Sequence, residues 1–287
     1  MFTPRPIPEL ILLNSGVARH NADWNFKNVS SPFARIHLVT KGGAYIVIGE
    51  DKIKLKPGNI YLTPPFSLHS NECDGELELY YIHVYENPHS KLHIFDDYQF
   101  PYEVSASELD YELVEKLLGL NPSYQLPVYD PKGYDNQSFL QQNVQKRTAE
   151  QLHTLVATRG ILIYLLSHFI QYASLKNEIL DSRVKTMVEY IRKNIHKNIT
   201  VDDLCKLSAL SVNHTIRLFK SQMGATPIDY INQKKIEMAQ IMLVSGTKSI
   251  KNIAYDLSFE NISYFNRLFK RYTSTTPKNF IKTTANL

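Results

Sequence analysis

Two basic, aromatic-centred segments carry the side chains best suited to meeting a polyanion. Arg217-Leu218-Phe219-Lys220 recurs as Arg267-Leu268-Phe269-Lys270, fifty residues later. A guanidinium can donate two parallel hydrogen bonds to one planar acceptor, such as a guanine edge, while an ammonium meets a phosphate as a point charge. Thr226-Pro227 returns as Thr276-Pro277, and Ile231 as Ile281, at the same offset. Upstream, Leu204-Cys205 pairs with Ile253-Ala254 one residue out of step, which places a one-residue difference in the turn between. The chain carries two copies of one helical unit.

The elements that must position these groups are short capped helices. Thr200-Val201-Asp202-Asp203 reads as a capping box, Ser211 as the cap of the next helix, and Ser249 and Asn261 as their counterparts in the second copy. On a 3.6-residue wheel Thr215, Leu218, Phe219 and Gln222 share one side, as do Phe265, Leu268, Phe269 and Tyr272. Asn213, Arg217 and Lys220 face the other way, as do Ser263, Arg267 and Lys270. Each copy thus buries an aromatic stripe and presents polar and basic groups, as a helix entering a DNA major groove must. One basic helix face is ordinarily solvated surface; two capped copies in one basic segment argue for more. Residues 181–287 hold 17 Lys and Arg against 8 Asp and Glu, net +9, and residues 1–180 hold 15 against 20, net −5, restoring the +4 of the chain.

The first half reads as strands. AYIVI, KIKL, NIYLTP and LELYYIHVY fall between about residues 33 and 85, with turns at Gly49-Glu50-Asp51-Lys52 and Pro57-Gly58-Asn59. Short strands at this spacing suggest an antiparallel barrel or sandwich. A helix is expected over Ala106–Gly119, capped by Ser105 or Ser107, and another from about Gln137 to Leu175, after an aperiodic stretch with three prolines. In the second, Leu155, Leu162 and Phe169 fall seven apart beside Leu152, Leu165 and Leu166, a stripe that packs on its own domain or on a second copy. Residues 177–182 read as a linker. Leu10–Leu13 is too short for a signal-peptide core, and Gly160–Ile170 is about half of the roughly 20 residues a membrane helix needs, so no membrane partner is expected. Length suits about two domains, and two cysteines, Cys73 and Cys205, exclude a disulfide framework and fit a reducing cytoplasm.

Catalysis finds little support. A barrel metalloenzyme needs a His-x-His pair with further ligands, and the chain has none; His37 and His83 stand alone on their strands. No phosphate-cradling glycine loop and no nucleophile motif occurs. No catalytic residue, metal or cofactor is assigned.

Leu204-Cys205, Ser211, the Arg217–Lys220 segment, Gly224-Ala225-Thr226-Pro227, Tyr230-Ile231, Lys235 and Ala239 are followed by Ser249-Ile250, Ile253-Ala254, Phe259, Ser263-Tyr264-Phe265, Arg267, Phe269-Lys270 and Thr276-Pro277. In this order, over about a hundred residues, the segment Lys185–Thr283 resembles the two-helix-turn-helix DNA-binding domain of the arabinose-regulator (AraC/XylS) family of bacterial transcription regulators. The resemblance implies a long helix over Ile228–Val244 joining the units, and two recognition helices entering successive major-groove faces about 34 Å apart. Departures are Ser258 and Ser274 where the family has Gly, Lys235 for its usual Arg, and Thr215 for its usual Leu. Ile216 beside the groove-facing set can touch a thymine methyl or simply pack.

Pro57-Gly58-Asn59-Ile60-Tyr61-Leu62-Thr63-Pro64-Pro65 followed by His69 resembles the second cupin motif, with Phe66 in the place of its glycine. In sugar-responsive members the strand after the late histidine lines the ligand pocket, which here implies Tyr81 and His83, joined by Trp24, Tyr61 and His69 as candidates. They suit a barrel-filling core equally well.

The expected fold is therefore α+β: a cupin-like antiparallel β-barrel over 1–104, a helical linker and dimerisation segment over 105–180, and an all-α domain with two helix-turn-helix units over 181–287. The expected protein is a cytoplasmic homodimer that reads double-stranded DNA and responds to a sugar or other metabolite, with RNA polymerase a further partner should it activate. Asn213, Ile216, Arg217, Ser263, Asn266 and Arg267 are the base-reading candidates, and Lys220, Lys270 and Arg271 the phosphate-binding ones. A cupin-type metalloenzyme with a helical appendage and a ligand-independent DNA-binding regulator are the competing readings.

Overall fold

The computed structural model describes residues 7–87, 92–131, 151–176, 181–245, 248–273 and 275–282. The chain divides into two compact units, Met1–Lys176 and Asn177–Asn286.

The front unit is built on two antiparallel sheets. Strands β1 (Leu10–Asn21), β2 (Ala34–Gly42), β5 (Asn59–Thr63), β7 (Glu76–Glu86) and β9 (Glu103–Ser105) form one, in the order β1-β7-β2-β5-β9. Strands β3 (Ala44–Ile48), β4 (Asp51–Leu55) and β6 (His69–Glu72) form the other, in the order β4-β3-β6, and β8 (Tyr98–Gln99) pairs with β10 (Ser174–Leu175). Period-two alternation buries both faces of the larger sheet. Ile36, Leu38, Ile60, Leu62, Ile82 and Val84 pack with the helices α2 (Glu108–Leu120) and α3 (Leu152–Ile170). Val39, Tyr61, Leu79 and Tyr81 face Ala44, Ile46 and Leu55 of the smaller sheet. A register shift between Leu12 and Asn14 moves β1 from the first face to the second, so that Leu10 and Leu12 join the helical side and Ala18 the interior.

Several expectations are corrected here. Leu10–Leu13, read only as a short apolar run, opens a twelve-residue strand paired along its length with β7. The first helix is capped by Ser107, whose capping box is closed by Asp110. The second ends at Ile170, and Ser174–Leu175 is a strand; residues 137–150 lie outside the described residues. At nineteen residues α3 is long and apolar enough to cross a membrane by length and composition, so the shortness of Gly160–Ile170 does not exclude a span. Its Leu162, Leu165, Leu166 and Phe169 pack instead in the front unit's core, which settles that part of the stripe, while Leu152 is exposed. Phe66, in the place of the motif's glycine, takes a left-handed conformation (φ 58°) that glycine would adopt freely, its N–H bonded to Ser31 O at 2.7 Å.

The second unit is helical: after a short α1 (Ile94–Asp97) in the front unit, the series continues as α4 (Ser182–Lys193), α5 (Val201–Ser208), α6 (Val212–Met223), α7 (Pro227–Ser245), α8 (Ile250–Asp256), α9 (Ile262–Thr273) and α10 (Pro277–Lys282). Two cores lie along it. Val184, Met187, Ile191, Leu204, Phe219 and Ile231 make the first; Ile236, Leu243, Ile253, Leu257, Phe265 and Phe269 the second. Helix α7 supplies both, through Ile231 and Ile236, and joins the two helix-turn-helix units as the resemblance implied.

Candidate nucleic-acid interface and sensor interior

Each copy is a helix, a tight turn and a second helix. Thr200 and Asp203 form the reciprocal capping box of α5 (Asp203 N–H to Thr200 Oγ1 3.2 Å, Thr200 N–H to Asp203 Oδ2 2.9 Å). Ser249 accepts from Asn252 N–H at the start of α8, and Asn261 Oδ1 accepts from Ser263 and Tyr264 N–H at the start of α9. Ser211 occupies the cap position of α6, but its hydroxyl makes no capping bond. The turns pass through left-handed residues, Ala209 (φ 53°) in the first copy and Ser258 (φ 56°) in the second. Between that residue and the next cap lies Leu210 in one copy, and Phe259 with Glu260 in the other, so Glu260 is the extra residue that puts the repeat out of step.

The wheel assignment holds for most positions, although Leu218, Gln222 and Tyr272 of the inward set are only half-buried. Thr215, Phe219, Phe265, Leu268 and Phe269 are buried, whereas Asn213, Arg217, Lys220, Ser263, Asn266, Arg267 and Lys270 are exposed, and Ile216 is half-buried. Thr215, in the place of a leucine, is fully buried, and its hydroxyl accepts from the Cys205 thiol at 3.3 Å. Gly224 ends α6 at φ 72°, a left-handed cap that glycine adopts without strain. Arg267 lies over the Tyr264 ring at 6.0 Å. Arg271 is drawn towards α7 by Asp229 (3.8 Å) and lies over Tyr272, so it is less free for a phosphate than Lys220 or Lys270. Ser274 lies outside the described residues.

The sensor candidates are all buried, and several meet. Trp24 stands edge-on to His37 (5.6 Å between ring centres), and Tyr81 lies 5.6 Å from His83. Tyr81 is fixed on two sides: its hydroxyl accepts from Leu126 N–H at 2.7 Å, and Gly16 leaves room where a Cβ would come within 2.4 Å of that oxygen. Tyr61 is committed to its own turn, donating to Lys54 O and accepting from Lys56 N–H, both 3.0 Å, which favours a structural role. His69 donates from Nδ1 to Ser67 O at 2.9 Å.

Sequence reasoning passed over the rest of this interior. Asn14 Nδ2 lies 3.3 Å from His83 Nδ1, and Arg35 donates to Ser31 Oγ at 2.6 Å while its guanidinium lies over Phe33. Arg35 and His37 alternate on β2 with Ile36 and Leu38, so their inward direction was readable once β2 was known to be buried on both faces. Burial, aided by the Arg35 charge, pushes His37 and His69 down to about 3 and His83 well below its ordinary value, so all three stay neutral. His37 Nδ1 has no hydrogen-bond partner among the described residues. Among the described residues no group of three or more His, Cys, Asp or Glu is placed to hold a metal ion.

A front unit of antiparallel sheets with a polar interior, followed by two helix-turn-helix units with exposed basic faces, is the architecture of a ligand-sensing regulator that binds DNA. Residues 14–119 match the AraC-like ligand binding domain and residues 204–283 a helix-turn-helix domain, and the chain belongs to the AraC family of transcription regulators. It is similar to an uncharacterised HTH-type transcriptional regulator of Haemophilus influenzae (22% identity, covering 86% of this chain and 85% of the relative). It is also similar to the uncharacterised regulator YdeC of Bacillus subtilis (25% identity, 85% and 82%). Among solved structures it shares its fold with ToxT of Vibrio cholerae, crystallised with an unsaturated fatty acid bound (TM-score 0.52, 14% identity, 99% of each chain).

Proposed function

We propose that the protein is a sequence-specific regulator that inserts α6 and α9 into successive major grooves of one DNA duplex, under control of a small molecule bound inside the front unit. The observation that carries the reading is the duplicated face, polar and basic outward over a buried aromatic stripe, in a segment of net charge +9. Arg217 and Arg267 make the principal base contacts, helped by Asn213, Ile216, Ser263 and Asn266. Lys220 and Lys270, and more weakly Arg271, meet phosphates and fix position without reading sequence.

The interior gathered around Trp24, His37, His69, Tyr81 and His83 supports a polar ligand, since neutral imidazoles accept or donate one hydrogen bond per nitrogen and His37 Nδ1 is open to one. ToxT, by contrast, binds an unsaturated fatty acid. An effector that prefers one arrangement of the sensor shifts the DNA-binding population by its differential affinity. In functional terms residues 1–104 sense, 105–180 make a homodimer through the helical segment, where Leu152 and Val156 stay exposed, and 181–287 read DNA in the cytoplasm. RNA polymerase is a further partner if the protein activates.

Selection of bound sequences from random duplex DNA tests the reading. Arg217→Ala is expected to relax preference at one base position at a cost of about 1–3 kcal/mol, and Lys220→Ala to weaken all sites evenly and lower the salt slope by about one. Unchanged affinity and preference in Arg217→Ala would mean that α6 does not lie in the groove.

A further inference from the structure

The side chain of Lys235, midway along α7, is almost wholly enclosed (4% exposed). Its ammonium donates to two main-chain carbonyls, Lys197 O at 2.9 Å and Leu257 O at 2.7 Å, and lies 5.4 Å from the centre of the Phe259 ring. The two carbonyls belong to different halves of the DNA-binding unit. Lys197 lies in the loop after α4, where Ile195 and Ile199 pack in the first core; Leu257 lies in the turn after α8, in the second. One residue further on, the Ser258 hydroxyl donates to His196 O, the carbonyl adjacent to that of Lys197. The two halves are thus tied to each other at a point away from the axis of α7.

A single helix joining two cores fixes their separation along its axis, but by itself it does not fix how each core is turned on the face it packs against. Two further ties, off that axis and acting on neighbouring carbonyls, close a triangle. We propose that Lys235 and Ser258 are positioning residues that lock the two helix-turn-helix units at one mutual distance and angle, so that the protein accepts its two half-sites at one spacing only. The proposal rests on the two-unit reading of DNA given above.

The chemistry of the junction supports it. Taking an ammonium out of water is costly, and burial pulls Lys235 down to about 8; a methionine would fill the same space without that cost. What the ammonium adds is direction, three donors aimed at two carbonyls and a ring. Ser258 holds a left-handed backbone (φ 56°) that glycine would adopt freely. Its hydroxyl supplies what glycine cannot, the bond to His196.

The test uses the full chain and a duplex selected from random DNA by the native protein, with one to three base pairs added or removed between the half-sites. Each added base pair turns the second half-site by about 34–36°, since the duplex repeats every 10–10.5 base pairs. The native protein is expected to lose about tenfold or more in affinity for a one-base-pair change, comparable to a mismatched base pair. Ser258→Gly and Lys235→Met are expected to lose less than about threefold for the same change, on the scale of a mismatch penalty largely removed, while binding an isolated half-site as the native protein does. Lys235→Arg keeps a cation with two or more donors at a similar reach and restores the discrimination. Ser258→Gly removes its tie while relieving the backbone, so its melting temperature is not expected to fall and it carries the test if Lys235→Met does not fold. A folded Ser258→Gly variant with native spacing discrimination overturns the proposal. Native protein that selects no sequence at all overturns instead the DNA reading on which it rests.

Discussion

Replacing His37 with phenylalanine is expected to flatten the acid sensitivity of the front unit by an amount set by burial. In the folded chain His37 is held near 3, against 6.5 when exposed to water. Between those values the unfolded chain binds a proton that the folded chain refuses, so stability is complete above about 6.5 and is lost as pH falls towards 3. At pH 5 the unfolded imidazole is almost fully protonated, and 1.5 units below its ordinary value corresponds to about 2 kcal/mol. His69, also held near 3, adds a similar loss in the same direction. Glu86 works the other way: burial raises it to about 7, so on acidification the folded state takes up a proton first, gaining about 2 kcal/mol by pH 5. The native pH profile is therefore a sum of opposed contributions, and the informative quantity is the difference between two proteins. His37→Phe keeps an aromatic ring against Trp24 and removes a nitrogen that has no partner among the described residues. Trp24, the single tryptophan of the chain, is buried in the front unit, so its fluorescence during urea unfolding follows that unit alone. Between pH 7.5 and pH 5 the variant is expected to lose about 2 kcal/mol less than the native protein. Parallel profiles for the two proteins would show that His37 titrates normally and that the interior is wet.

Phe219 and Phe265 are both 0% exposed, each at the centre of one helix-turn-helix core, so alanine at either should cost about 3–5 kcal/mol in circular-dichroism melts of the helical unit; a loss under 1 kcal/mol would contradict the stated packing. Gly16→Ala would place a methyl within 2.4 Å of the Tyr81 hydroxyl, forcing that ring from its bond with Leu126. About 1–3 kcal/mol should be lost, as in other overpacked cores, and native stability by Trp24 fluorescence would show that Tyr81 has room to move.

The helical half was legible because its signals are local. Caps at Thr200, Ser249 and Asn261 and the buried stripe through Phe219 and Phe265 depend on residues within one or two turns of each other, and the structure places them as read. Ser211 shows the limit: residue type announced the cap position, but not whether the hydroxyl would turn towards the helix. The front half was less readable because its elements are defined by distant partners. Leu10–Asn21 is a strand because β7 lies beside it, with Val17 opposite Tyr80 and Gly16 opposite Tyr81, more than sixty residues away. Arg35 and His37 sit in a strand whose outward face is also apolar, so they look like ordinary surface residues until the helices covering that face are known. Arg35 and His37 were passed over as pocket residues for this reason, while His69 and His83 were reached only through the family resemblance.

The repeat itself contains a further lesson about where function enters a duplicated unit. Both turns demand a left-handed residue, and Ala209 and Ser258 meet that demand at nearly the same angle. Alanine gives the first turn its shape and nothing else; serine gives the second the same shape plus a hydroxyl that reaches His196 in the first copy's half. Lys235 has no counterpart role in either copy, since it belongs to the helix between them. Self-similarity therefore accounts for the two reading faces, each of which needs the same caps, the same stripe and the same exposed cations. The angle between the faces has to come from residues that break the symmetry, because one helix joining two identical copies sets their distance along its axis but not how each copy is turned about it. Lys235 and Ser258 are such residues, and they act on adjacent carbonyls of a single loop.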